Sequence, residues 1–574
     1  MRKKLNSNNT SPPSYFKNPK LSLIIGLSSI NIALLLLWVF SFENIQIIGQ
    51  LPWTSPLILE INFFLILFGL VINKETWIKI YKEIPSRYLF LLMAILIYGL
   101  YLLTWIAPRT HRIFYDEDIY INIAQNIVYE KKAAMCNNGE NEHGEYKCAM
   151  REYNKEPNGW PYLLSIVFRL FRVRERYAFY LNNALFLFGI VIAFYLGTLL
   201  FQGYLAGIYA AFCFTIIPNN LRWFNTAAAE PGAAVFAALA ILLFLIYFKE
   251  KKIGLLFLAS ITLPFSCQFR PESVLILPII ALIIILLQPK ELTKLRTYLF
   301  AQFSFFLLIP HFVHLFVMRE EKWGAEAVKF SFHYLKDNFR TNFFYYINNK
   351  HFPCLIIFFF AVGIIISEKW KEKAIGLVWF ILFWGIFIFF YAGSYSYGTD
   401  DRFALVSFIP LALLAGEGIS GLIKELNHKY KWGNYLHLAI FLILISSFLS
   451  FYPFTSAKGL EAWEARADHY YAKKMFKVLP ANSIILTQNP NMFLVWGHSA
   501  GQASLATDNS SVIDDLFQYY QGGVFFHYNY WCNTEDPREK TFCKNILDKF
   551  NHKIIRSFKE RNFRYILYKL ERKK

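Results

Sequence analysis

The chain has 574 residues, of which 56% are hydrophobic, 19% aromatic and only 17% charged. Soluble globular proteins carry about 25% charged residues, so the composition excludes an ordinary soluble protein and points to a lipid bilayer. The net charge of +19 collects in short loops between apolar runs, and no base-reading motif accompanies it, which argues against nucleic acid as a partner.

The first 20 residues are polar and basic. The apolar run 21–41 that follows is too long for a signal-peptide core, so it is expected to stay as a first span with the N-terminus cytoplasmic. A crossing helix needs roughly 20 apolar residues. On that basis spans are expected at 21–41, 58–73, 89–107, 177–200, 204–218, 231–248, 253–268, 273–288, 299–317, 354–367, 374–392, 403–420 and 435–452. A short outer turn carrying Pro52 and Pro56 is expected between the first two. Lys74, Lys79, Lys82 and Arg87 mark the next loop as inside. So do Lys249, Lys251 and Lys252, then Lys290, Lys294 and Arg296, then Lys369, Lys371 and Lys373, and then Lys424, Lys429 and Lys431. The polar stretches 109–176, 319–352 and 455–574 then lie outside.

The expected fold is therefore an α-helical polytopic membrane protein of about 13 transmembrane helices with a small extracytoplasmic α/β C-terminal domain. Residues 1–108 form the cytoplasmic tail and three spans. Residues 109–176 form the first large outer loop, 177–454 the transmembrane core, and 455–574 the outer domain. In that domain β-like runs at 483–487, 523–528 and 563–570 alternate with helix-like runs at 463–478 and 540–550. Two cysteine pairs, Cys136 with Cys148 and Cys532 with Cys543, fall on the outer side, where disulfides persist. A metal site is the rival for these pairs, and their spacing does not match a C-x-x-C pattern.

Four polar groups sit at span ends on the outer side: Asp116-Glu117-Asp118, Glu230-Pro231, Arg270-Pro271-Glu272 and Thr399-Asp400-Asp401-Arg402. Acids at a helix start also suit the macrodipole. Still, ionisable residues at membrane depth are costly and are functional candidates by default. Clustered carboxylates can supply a general base or oxygen ligands for a divalent cation, Mg or Mn. Outer-face arginines can clamp a phosphate. Together they suit a substrate with a lipid tail and a phosphorylated head.

The same residues carry a resemblance. Asp116-Glu-Asp-Ile-Tyr120-Ile-Asn-Ile-Ala124 resembles the Asp-Glu-x-x-Tyr-x-x-x-Ala element that opens the first outer loop of GT-C glycosyltransferases. The nearest branch is that of the dolichyl-phosphate-mannose–protein mannosyltransferases and the lipid A aminoarabinose transferase. Lys155-Glu-Pro157-Asn-Gly-Trp-Pro161-Tyr162 resembles the family's Lys-Pro-Pro-Leu-Tyr segment, with Glu156 interrupting it. Arg402-Phe-Ala-Leu-Val-Ser-Phe-Ile-Pro410 resembles its late Arg-Tyr-Leu-Leu-Pro element. The likeness runs over about 110–420. It implies transfer of a sugar from a polyprenyl-phosphate-linked donor to a lipid, glycan or protein acceptor, usually with inversion. It also implies Asp116 as general base, Glu117 and Glu230 as supporting acids, and Lys155, Arg270 and Arg402 as ligands of the carrier phosphate. Asp118 is left as a helix-surface residue, and metal use stays open. The alternatives are a lipid or sugar transporter or flippase, and a non-catalytic assembly subunit.

Overall fold

A computed structural model describes residues 19–573 apart from 143–144, 322–324, 326–327, 349–351, 397–399, 457–462 and 509. The basic N-terminal stretch up to residue 18 and Thr399 lie outside the described residues.

The chain is an integral multi-pass membrane protein. Among the described residues seven helices are long and apolar enough to cross a bilayer: Ser22–Ser41, Asn44–Ile72, Ser86–Ile106, Arg176–Leu200, Glu230–Glu250, Leu295–Glu320 and Asp401–Tyr430. The expected spans at 204–218, 253–268, 273–288, 354–367 and 435–452 fall in shorter apolar helices. That at 374–392 falls in the helix Trp370–Ile388.

One expectation is corrected. Pro52 and Pro56 do not form a turn but lie inside the 29-residue helix Asn44–Ile72, and the chain breaks earlier, at Phe42 and Glu43. A proline in a helix frees the carbonyl four residues back. Here Pro56 frees the Pro52 carbonyl, which accepts instead from the Ala133 backbone N–H. In an apolar medium such a substitute partner is what lets the helix continue.

Outside the bundle lies one seven-stranded sheet in the order β2-β1-β4-β3-β5-β7-β6. Its strands are β1 Met135–Glu142, β2 Glu145–Glu152, β3 Ser483–Thr487, β4 Ser499–Gln502, β5 Gly523–Tyr528, β6 Asn551–Glu560 and β7 Phe563–Glu571. The central strand β3 runs parallel to β4 and β5, and its five residues are all buried, as a continuous apolar run in a parallel core should be. The hairpin β1–β2 belongs to the first polar loop, yet β1 pairs antiparallel with β4 through Asn138↔Gly501 and Gly139↔Ala500. The 109–176 loop and the C-terminal segment, read separately from sequence, thus share one sheet. Cys136 and Cys148 are disulfide-bonded across that hairpin, and Cys532 is disulfide-bonded to Cys543.

Candidate active site

The helix Asp116–Glu130 opens with all three acids in its first turn. Successive side chains of a helix point about 100° apart, so each carboxylate meets a different neighbour.

Glu117 turns inward and is sealed. It accepts from the backbone N–H groups of Arg112 at 2.7 Å, Ile113 at 3.0 Å and Ala227 at 2.7 Å, and lies 3.1 Å from His111 Nδ1. Burial alone would raise this carboxyl; His111 and the two backbone donors outweigh it and hold the group below the usual carboxylate range. Expected as a supporting acid beside Asp116, it instead ties residues 111–113 to the segment before Glu230. Asn225 completes that tie, donating to the carbonyls of Leu103 and Ala107 around the π-helical turn Leu102–Ile106.

Asp118 is also corrected. It is not a surface residue but is buried against the sheet domain, where Asn489 donates to it at 2.8 Å.

Asp116 alone faces the cleft. Its side chain is 48% exposed and stands 4.0 Å from the Arg402 guanidinium. The surrounding protein raises its carboxyl above the ordinary range, opposed chiefly by Arg402. Arg402 Nε lies 3.1 Å from Glu230, and Arg270 Nη1 lies 3.5 Å from the same Glu230 oxygen. One buried carboxylate at the start of the helix Glu230–Glu250 therefore sits between two arginines. Both guanidinium groups also lie over the Phe403 ring, at 5.8 and 4.9 Å.

Two glycines allow this convergence. The Gly159 N–H donates to the Gln268 carbonyl at 2.7 Å, and a Cβ there would fall 2.5 Å from that oxygen. The contact brings the loop before residue 159 against the turn that carries Arg270. A Cβ on Gly232 would meet the Phe269 ring at 2.7 Å, so only glycine lets the start of the Glu230 helix approach that turn.

Sequence reasoning missed Glu156. It lies 3.1 Å from Arg270 Nη1, while Glu272 lies 3.3 Å from Arg270 Nε. Burial first, opposed by Arg270 and reinforced by the neighbouring acids, pushes the Glu156 carboxyl up to about 7. Its signal was an acid set beside Pro157 in a lipid-side loop, which read as an interruption. Lys155 is not brought to the two arginines: its ammonium pairs with Glu321 at 2.9 Å, with both side chains at the rim. Residues 155 and 156 face opposite ways, and the acid takes the inward place.

Beside Arg402, Asp401 bonds Trp223 Nε1 at 3.1 Å and pairs with Arg222 at 3.6 Å. Asp401 and Arg222 border a cavity of about 820 Å³ that Asp337, Arg340, Tyr345 and Phe454 also line. The arrangement offers a half-open carboxylate, one buried and one partly buried guanidinium group, and a cavity with charged and aromatic walls.

Among solved structures, the chain is similar to the Archaeoglobus fulgidus oligosaccharyltransferase in its apo form. The TM-score is 0.51 at 13% identity, covering 81% of this chain and 73% of that one. It is likewise similar to ArnT from Cupriavidus metallidurans bound to undecaprenyl phosphate, with a TM-score of 0.51 at 12% identity, over 84% of this chain and 98% of ArnT. The fold is that of the GT-C glycosyltransferases. At such identity the likeness concerns the GT-C fold and not individual residues. No family model matches the chain. An uncharacterised protein of Aquifex aeolicus is 28% identical over 166 residues, which is 28% of this chain. The chain thus matches about a third of that relative's length, 33%.

Proposed function

We propose that this protein is a membrane glycosyltransferase. It moves a sugar from a polyprenyl-phosphate-type lipid donor to a hydroxyl of a lipid, glycan or protein acceptor, with inversion and with Asp116 as the general base. The observation that carries the reading is the separation of the three acids: Glu117 and Asp118 are spent on packing, while Asp116 opens onto a cleft lined by Arg270 and Arg402. The GT-C fold supports the reaction class, and ArnT, which shares it, carries undecaprenyl phosphate.

In the step, the acceptor oxygen attacks the anomeric carbon as its proton passes to Asp116. The bond from that carbon to the carrier phosphate oxygen breaks, and the phosphate leaves with the electron pair. A carboxyl raised towards the working pH is a better base. Arg402 and Arg270, fixed by Glu230, meet the charge growing on the phosphate without having to reorganise. The two arginines already supply positive charge at the phosphate, and a divalent cation, Mg or Mn, held by the neighbouring acids would add to it.

Orientation belongs to the same proposal. Lys79 pairs with Glu250, Lys249 with Glu83, and Lys251 with Glu291. The basic loops thus gather at one end of the bundle, and the positive-inside rule makes that end cytoplasmic. The sheet domain and the cleft are then extracytoplasmic. The test is release of carrier phosphate from a panel of polyprenyl-phosphate sugars incubated with the purified protein. Release by the wild type and its loss in Asp116→Asn support the reading; no release from any donor overturns it.

A further inference from the structure

Beyond the cleft, on the far side of the three acids, lies a second cluster drawn from three distant segments. His111 comes from the loop before the helix Asp116–Glu130, Glu175 from the residue preceding the helix Arg176–Leu200, and His469 from the helix Trp463–Phe476 of the sheet domain. Glu175 Oε1 lies 2.8 Å from His111 Nε2 and 3.0 Å from His469 Nε2. The two imidazole rings lie 4.1 Å apart between centroids. One potential ligand atom from each residue falls within 4.8 Å of the others. We propose that His111, Glu175 and His469 bind a divalent transition-metal ion of the zinc type, a site separate from the Asp116 cleft.

Four observations carry this. First, both imidazoles aim Nε2 at a single carboxylate oxygen. Ligand atoms 2.0–2.1 Å from a tetrahedral ion stand about 3.3 Å apart, so a small outward shift of each group makes room for one. Second, the outer contacts orient the ligands as supported metal sites require. Glu117 holds His111 at Nδ1, 3.1 Å away. Glu175 Oε2 is held by Lys473 and by Trp496 Nε1, both at 3.1 Å, which leaves Oε1 turned to the histidines. Third, negative charge gathers here. Glu117, Asp118 and Glu175 place three carboxylates beside the two imidazoles, and Lys473 pairs with Glu175. Asp118 Oδ1 lies 3.7 Å from His469 Nε2 and adds negative charge beside that ligand. Fourth, the cluster opens onto a cavity of about 520 Å³ whose lining also carries Arg109, Arg176, Arg466 and Lys473.

Nitrogen and carboxylate donors of this kind suit zinc over magnesium or manganese. The ion would join the membrane bundle, the loop carrying Asp116 and the sheet domain at one point, so that its binding energy would become folding energy.

The experiment uses the full-length protein in detergent. After dialysis against metal-free buffer, elemental analysis is expected to find about one zinc per chain retained, and neither Mg nor Mn retained. Cobalt exchanged into the protein is expected to give the visible absorption of a tetrahedral site. His469→Ala is expected to lose that spectrum and at least about 100-fold in zinc affinity, judged against the outer-ligand losses of 10–100-fold. Zinc is expected to raise the melting temperature of the wild type but not of this variant. A wild type that gives no cobalt spectrum, or a His469→Ala variant that binds zinc like the wild type, overturns the proposal. If the variant does not fold, the wild-type cobalt spectrum decides alone. Asp116→Asn is expected to keep the ion, so failure of the transfer reading is seen separately: bound zinc without transfer defeats only the transferase, and transfer without bound zinc defeats only this site.

Discussion

Two carboxylates at opposite ends of the bundle, one buried and one partly buried, meet opposite fates. Glu291 lies among the basic loops, 2.7 Å from Lys294, 3.1 Å from Lys251 and 3.6 Å from Arg296, and accepts from the Tyr247 hydroxyl at 2.6 Å. Burial would raise it, but Lys294, Tyr247 and Lys251 outweigh burial and lower its carboxyl to about 2. Glu156 lies among acids with one arginine to share, and burial pushes it up to about 7. The difference is one of partner count. An acid with several cations is a lock, always ionised and always held. An acid that competes with Asp116, Glu230 and Glu272 for Arg270 and Arg402 stays close to proton exchange, which is the state that chemistry needs.

The comparison can be broken or sharpened by substitution. The largest expected effect is at Asp116. Asp116→Asn should cut the transfer rate by about 10²- to 10⁴-fold, as loss of a general base does, with an unchanged melting temperature. Glu291→Gln should do the reverse. Removing one partner from a buried ionic cluster costs about 3–5 kcal/mol, so the variant should denature earlier in a chaotrope titration, while the surviving folded protein transfers at the wild-type rate.

Glu156→Gln tests the pH behaviour. The folded-state value of Glu156, about 7, exceeds that of an ordinary carboxyl, so the folded protein binds a proton that the unfolded chain has released. Its contribution to stability is full in acid and is lost as pH rises through the window up to about 7. The wild-type melting temperature should therefore fall from pH 5 to pH 7.5 more than that of the Gln variant. The smallest effect is expected at Lys155. Its pair with Glu321 is solvent-exposed, and such pairs contribute about 0–1 kcal/mol. Lys155→Ala should leave both the melting curve and the transfer rate near wild type. A large loss of transfer would return Lys155 to the carrier phosphate.

Much of this was legible in the sequence, for a physical reason. Apolar runs announce spans, and span parity puts Asp116, Glu230, Arg270 and Arg402 at the same end, so their convergence needed only topology. The parallel strands 483–487 and 523–528 were legible because strands buried on both faces are continuously apolar. Direction was not legible. That Glu117 turns to His111 and Asp118 to Asn489 depends on the phase of one helix turn and, for Asp118, on a partner 371 positions away. The strand β1 escaped notice because Met135–Glu142 is polar and becomes a sheet member only by pairing with β4. Glu156 escaped because its effect depends on how crowded Arg270 is, which no local pattern records. His111, Glu175 and His469 share no spacing at all.

The stitched sheet also imposes an order in time. The β1–β2 hairpin is made early and can close locally around Cys136 and Cys148, but its partner β4 lies near the end of the chain. At about 5–20 residues per second, the ribosome reaches β4 roughly 20–70 s after β1. For that interval the segment that follows the Asp116 helix has its hairpin and no sheet. The protein is thus assembled in the bilayer well before its outer sheet is finished, and a chain released before β4 would have its transmembrane helices but no completed sheet.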